Sequence, residues 1–173
     1  DEEDSIPTFQ TQLTADASGM ASVTIPLEEA YYEWSEFHPT LYYLTYRINE
    51  QDCGYLSFGM RQFCTDGMRF TINGQPTMLR GKHDGLIFPR TGYAPTEVNE
   101  WIRILEIAKS YGINHYRFHT CCPPDAAFTA ADLLGIYMEP ELPFWGTIAA
   151  PGEEGYNEAE QNYLIALGDK LLE

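Results

Sequence analysis

Residues 77–173 alternate short strand-like runs with amphipathic helical runs, and this alternation limits the possible folds more than any other feature of the sequence. Residues 78–83 read as a strand leading into a loop rich in Gly, Pro and Thr over 85–95. Thr96 is the expected N-cap of a helix, with Glu97 and Glu100 placing negative charge in its first turn. Val98, Trp101, Ile102, Leu105 and Ala108 then fall on one face, and Gly112 supplies the terminating glycine. Residues 113–119 form the second expected strand. Pro123-Pro124-Asp125 opens a second helix through Leu134, ended by Gly135. A third strand over 136–142 and a third helix over 156–172 follow. Strands joined through helices must lie parallel. Strands carrying His, Arg and Glu suit a barrel whose strand ends hold a site, and this chain is too short to close one.

The preceding part of the chain reads as β-structure. Strands are expected over residues 9–13, 20–27, 41–48 and 55–63, with turns at 16–19 and 49–54, as in part of a β-sandwich. Asn73-Gly74 between two apolar runs predicts a type I′ hairpin at the boundary of the two halves. The expected division is 1–64 for the partial sandwich and 65–173 for the amino-terminal portion of a (β/α)8 barrel, an α/β plus β chain overall.

Charge narrows the partners. Ten basic residues against 26 acidic ones give a net charge of −16. That excludes nucleic acid, which needs concentrated Lys and Arg, and an anionic membrane surface. No run of 18 apolar residues occurs. The start Asp1-Glu2-Glu3-Asp4 is no leader sequence, which leaves secretion open for a processed piece. A secreted or periplasmic location is expected ahead of a cytoplasmic one. Of the four cysteines, the vicinal Cys121-Cys122 pair has no metal-site spacing, whereas Cys53 and Cys64 flank a hairpin and could form a disulfide. The aromatic content, 12 Tyr, 9 Phe and 3 Trp, serves a sandwich core better than it indicates a sugar surface.

Chemistry concentrates on the strands. His115, Arg117 and His119 alternate, so they face one way, with Tyr116 and Phe118 facing the other. An inward Arg without a partner is costly, so this stripe reads as functional rather than as plain core. The competing reading is a solvated edge strand, and zinc binding by the histidines lacks a completing ligand. Glu139 and Glu141 could form a glycosidase-like carboxylate pair, but neighbours on one strand rarely flank a bond from opposite sides. Glu141 is therefore expected to support a substrate site. His83 and Asp84 end the first strand, where polar residues often touch substrate, and Trp145 could stack on a sugar or plug a barrel rim. No phosphate loop, dinucleotide fingerprint or nucleophile elbow occurs, and no cofactor is expected.

Five segments in order carry a resemblance. They are Trp34-Ser-Glu-Phe-His-Pro-Thr-Leu-Tyr42, Phe58-Gly-Met-Arg61, Phe70-Thr-Ile-Asn-Gly-Gln-Pro with Leu79-Arg-Gly81, Gly112-Ile-Asn-His-Tyr-Arg-Phe-His119, and Ala131-Asp-Leu-Leu-Gly-Ile-Tyr137 with Glu141. Together they resemble glycoside hydrolase family 2, the group of β-galactosidases, β-glucuronidases and β-mannosidases. The resemblance implies an immunoglobulin-like sandwich bracing a barrel of a retaining, exo-acting β-glycosidase. Arg117 is similar to the family's barrel-lining Arg, His119 to its pocket His and Glu141 to the acid ending the third strand. His83 lies near another pocket His, with altered spacing. The family's two catalytic residues are glutamates on the fourth and seventh strands, the first following Asn. Asn49-Glu50, Asn99-Glu100 and Asn157-Glu158 all fall elsewhere.

The expectation is thus a glycosidase fragment that contacts sugar through His83, Asp84, Arg117, His119, Glu141 and Trp145, with no catalytic residue and no metal. Uncovered barrel edges would favour self-association. The rival is a non-catalytic carbohydrate-binding or scaffold module.

Overall fold

The structure, a computed structural model, describes residues 10–25, 31–48 and 52–172, in two compact units, Asp1–Tyr31 and Tyr32–Glu173. In the first unit the expected turn forms around Asp16. Its Oδ1 accepts the N–H groups of Ser18 at 2.8 Å and Met20 at 3.0 Å, and Gly19 takes φ +83°. These bonds, led by the Ser18 hydroxyl, hold the Asp16 carboxyl below its usual range. The strands expected at 9–13 and 20–27 do not form over 10–13 and 20–25; residues 9, 26 and 27 lie outside the described residues. An alternating pattern makes a strand only when a neighbour accepts its ladder, and these residues have none among those described.

In the second unit β1 (Tyr42–Ile48) pairs antiparallel with β2 (Asp52–Phe58). The strand expected over 55–63 breaks after Phe58. The reason is Gly59, where a Cβ would stand 2.8 Å from the Cβ of Trp34, and Trp34 N–H donates to the Met60 carbonyl at 2.9 Å. The chain leaves the ladder there to pack on Trp34. β3 (Phe63–Asp66), β4 (Arg69–Ile72) and β5 (Gln75–Thr77) then form an antiparallel meander. Gly67, at φ +58°, leads its first turn, the glycine-first pattern of type II′. The second turn is the predicted one, with Asn73 at φ +52° and Gly74 at φ +75°.

This pairing settles the disulfide left open by the sequence, because Cys64 is free. Cys64 lies opposite Thr71 in the meander and is free, whereas Cys53 lies opposite Arg47 in the other sheet.

The third sheet is parallel, in the order β6 (Gly81–Asp84), β7 (His115–Phe118), β8 (Tyr137–Pro140). α1 (Val98–Ser110) links β6 to β7, and α2 (Asp125–Leu134) links β7 to β8. Tyr116 and Phe118 of β7 are fully buried beneath Trp101 and Leu105 of α1 and the alanine face Ala127, Ala130 and Ala131 of α2. Burying side chains of this size contributes about 1.5–3 kcal/mol each, so this interface anchors the parallel sheet. The alanines let α2 approach closely. All three strands are shorter than the apolar pattern predicts.

Thr96 does not cap α1. The N-cap is Glu97, in extended backbone, whose carbonyl receives the Glu100 and Trp101 N–H groups. Trp101 Nε1 also donates to the Pro95 carbonyl at 2.7 Å, which fixes the approach to the helix one residue later. Gly112 and Gly135 follow their helices at φ +81° and +74°, as expected. α3 (Glu158–Leu172) starts two residues later than predicted, with Asn157 Oδ1 accepting the Glu160 N–H at 3.2 Å.

A polar latch closes the amino ends of the parallel strands. Buried Glu36 takes Arg80 at 3.1 Å and the Asn114 amide, while its carbonyl accepts Lys109 Nζ at 2.9 Å. Asn114 in turn receives the Arg80 N–H at 2.7 Å and donates to the Met78 carbonyl at 3.0 Å. These bonds occupy the backbone that was expected to extend β6 back to residue 78. Trp34 adds an Nε1 bond to the Asp132 carbonyl at 2.8 Å and an edge contact on Tyr137.

Candidate functional site

The register of the parallel sheet decides which polar side chains meet. Gly81, His115 and Tyr137 align across it, as do His83, Arg117 and Glu139. Alternation puts both rows on the face away from α1 and α2. Gly81 is part of the design. A Cβ there would lie 2.7 Å from His115 Nδ1, so the bare backbone makes room for that ring. His115, nearly buried, reaches Glu139 with Nε2 at 2.9 Å. Arg117 approaches Glu139 through Nε at 3.7 Å and pairs with Glu141 through Nη2.

Beyond the strand ends three rings line up. The imidazoles of His83 and His119 stack with centroids 4.9 Å apart and planes 15° apart. The Trp145 ring lies 5.0 Å from His119 on a 39° tilt and is 80% exposed. The array ends in the exposed Trp145 ring, an apolar surface beside a carboxylate–guanidinium cluster. Such a surface can cover the C–H face of a ring while the cluster exchanges hydrogen bonds with hydroxyl groups.

The turn between β7 and α2 joins the two parts. Thr120 has φ +54°, rare for a β-branched residue. Holding it there costs about 1–3 kcal/mol, which neighbouring bonds must offset. Its N–H donates to Glu141 Oε2 at 2.8 Å and its hydroxyl to the His119 carbonyl at 2.7 Å. The Thr120 N–H, followed by the Arg117 charge, holds the Glu141 carboxyl below its usual range. Glu141 is therefore an ionised acceptor at neutral pH.

Five of the six expected site residues, His83, Arg117, His119, Glu141 and Trp145, come together. Asp84 does not join them. It aligns with Phe118 on the opposite, helix-covered face, where it pairs with Lys82 and accepts the Leu86 N–H at 2.7 Å. Asp84 shapes the loop after β6 and helps push the buried Tyr116 phenol up to about 12, an effect led by burial. The sequence reading weighed Glu139 only as half of a carboxylate pair with Glu141 and set the pair aside; the structure shows it joining His115 to Arg117. Parallel alignment carries that information, and a single strand read alone does not show it. Cys121 and Cys122 are free, and burial pushes both thiols up, so neither is a ready nucleophile. Among the described residues, no group of three or more His, Cys, Asp or Glu is arranged to hold a metal ion.

Comparison with known proteins finds similarity of the chain to glycoside hydrolases. The chain is 28% identical over 123 residues to a β-galactosidase of Staphylococcus xylosus, a match covering 70% of this chain and 12% of that protein. The match to a glycosyl hydrolase family 2 structure from Bacteroides cellulosilyticus has 25% identity and a TM-score of 0.59, covering 83% of this chain and 18% of that one. The β-glucuronidase structure of Bacteroides uniformis shares 27% identity with a TM-score of 0.57, over 72% of this chain and 15% of that one. No protein-family model matches the chain. The chain is related to glycoside hydrolase family 2 and spans only a small part of these relatives.

Proposed function

We propose that the chain is part of a retaining, exo-acting β-glycosidase of β-galactosidase type. Residues 1–64 belong to an immunoglobulin-like sandwich, and 65–173 form the first roughly three of the eight strand–helix units of a barrel. The observation that carries the reading is the alignment of His83, His119 and Trp145 at the carboxyl ends of parallel strands, beside Arg117, Glu139 and Glu141. In a barrel that is the end where substrates bind. His83, Arg117, His119, Glu141 and Trp145 form one wall of a sugar pocket, and Asp84 supports the loop above it.

The wall does not supply the chemistry. A retaining glycosidase needs an acid/base and a nucleophile on opposite sides of the scissile bond, about 5 Å apart. Glu139 and Glu141 instead share one guanidinium on one side. Both catalytic glutamates belong to strands beyond this chain, which alone is inactive. The uncovered strand edges also favour self-association.

An aryl β-glycoside assay on this chain is expected to give no turnover. Turnover lost in Glu139→Gln or Glu141→Gln would refute the claim that the pair is missing. The second reading, a carbohydrate-binding module without catalysis, draws on the exposure of Trp145. A reading frame that supplies two further strand-end glutamates excludes it, and one that stops at Glu173 favours it.

A further inference from the structure

Glu141 was expected to contact substrate, but both its oxygens are already engaged. Oε2 accepts the Thr120 N–H at 2.8 Å, and Oε1 faces Arg117 Nη2. Its own N–H donates to the Cys121 carbonyl at 3.1 Å, so the segment after β8 is tied to the turn after β7 twice. Between the two ties stands Thr120, a β-branched residue in the left-handed region. Immediately before it, His119 sits with its ring between His83 and Trp145. The His119 N–H donates to the Asp84 carbonyl at 2.8 Å, which anchors one side of that residue. The other side depends on the left-handed turn.

We propose that Glu141 is a positioning residue: by gripping the Thr120 N–H it holds the left-handed turn that keeps the His119 imidazole stacked between His83 and Trp145. A glycine in place of Thr120 would reach the same φ without strain, so the chosen residue makes the ring array depend on the clamp. The proposal rests on the sugar-wall reading and deepens it by giving Glu141, beside its place in that wall, a role through His119.

The test uses the whole chain and no sugar, so its failure is separate from failure of the glycosidase reading. A protonated imidazole against an indole quenches its emission, and histidine changes charge in the mildly acidic range. The contribution of Trp145 is isolated by subtracting the Trp145→Phe titration, because Trp34 and Trp101 remain in both. His119→Gln identifies the part due to His119. With Glu141→Ala, the quenching step should be lost. In the double variant Thr120→Gly, Glu141→Ala it should return, because the unstrained turn no longer needs the clamp. Glu141→Gln, which keeps an acceptor for Thr120, should retain the step and serves if the alanine variant does not fold. An undiminished step in Glu141→Ala would overturn the proposal. So would a double variant no better than Glu141→Ala, or loss of the step in a folded Glu141→Gln protein.

Discussion

Gly112 and Gly135 end their helices at nearly the same left-handed φ, yet their surroundings differ. A Cβ at Gly112 would meet nothing within 4 Å, whereas one at Gly135 would lie 2.8 Å from the Glu36 backbone. Gly112→Ala should therefore cost only the backbone preference, about 1 kcal/mol. Gly135→Ala should cost roughly 1–3 kcal/mol more, because the Glu36 segment must move. Urea denaturation of both variants checks the difference. Asn73 similarly does more than a turn requires. Its side chain accepts the Gln62 N–H at 2.9 Å and donates to the Trp34 carbonyl at 3.0 Å. The turn was legible from the Asn-Gly pair; the ties to Trp34 were not, because they join residues 39 positions apart. Glu141 gives a pH-dependent prediction. Its carboxyl titrates lower in the folded chain than when unfolded, so it stabilises the fold at neutral pH. That contribution fades as pH falls through the depressed folded value. Glu141→Gln should thus be less stable than the parent at pH 7, and the gap should close in acid, as followed by thermal melts.

Among the elements, β7 was the most legible. Its two faces follow from alternation, and Tyr116 and Phe118 lie in the core as the pattern predicts. Strand lengths were less legible, because the Asn114–Glu36–Arg80 latch takes over backbone groups that the apolar pattern assigns to strands. The pairing of Cys53 and Cys64 stayed open in the sequence because sequence proximity does not say which sheet a strand joins. Trp34 belongs to this scale, since it contacts the turn after β4, α2 and β8 through Asn73, Asp132 and Tyr137. Trp34→Ala should destabilise the second unit by about 3–5 kcal/mol, read by denaturant unfolding followed through Trp101 emission. Tyr116 offers a check on the core. Its phenol is raised to about 12 when folded, so the folded form keeps a proton the unfolded chain gives up from about pH 10. Stability tied to Tyr116 is complete below pH 10 and declines between there and about 12. Tyr116→Phe should lose less stability across that interval.

At the scale of the whole molecule, the parallel sheet with polar strand ends has three strands among the described residues, and the chain is related to family 2. The matched part is 12–18% of the relatives compared. The candidate site was legible as residue types at strand ends, and the family resemblance implied roles for Arg117, His119 and Glu141. Neither disclosed the ring stack or the Thr120 clamp, which depend on how three strands align. The central claim is that this chain holds a sugar-facing wall without the catalytic pair. Its most direct measurement pairs ligand-observed NMR of methyl β-galactoside with an aryl β-galactoside turnover assay on the same sample. The account predicts saturation transfer that disappears in Trp145→Ala, together with no turnover above buffer. Turnover abolished by Glu139→Gln or Glu141→Gln, or saturation transfer unaffected by Trp145→Ala, would contradict it.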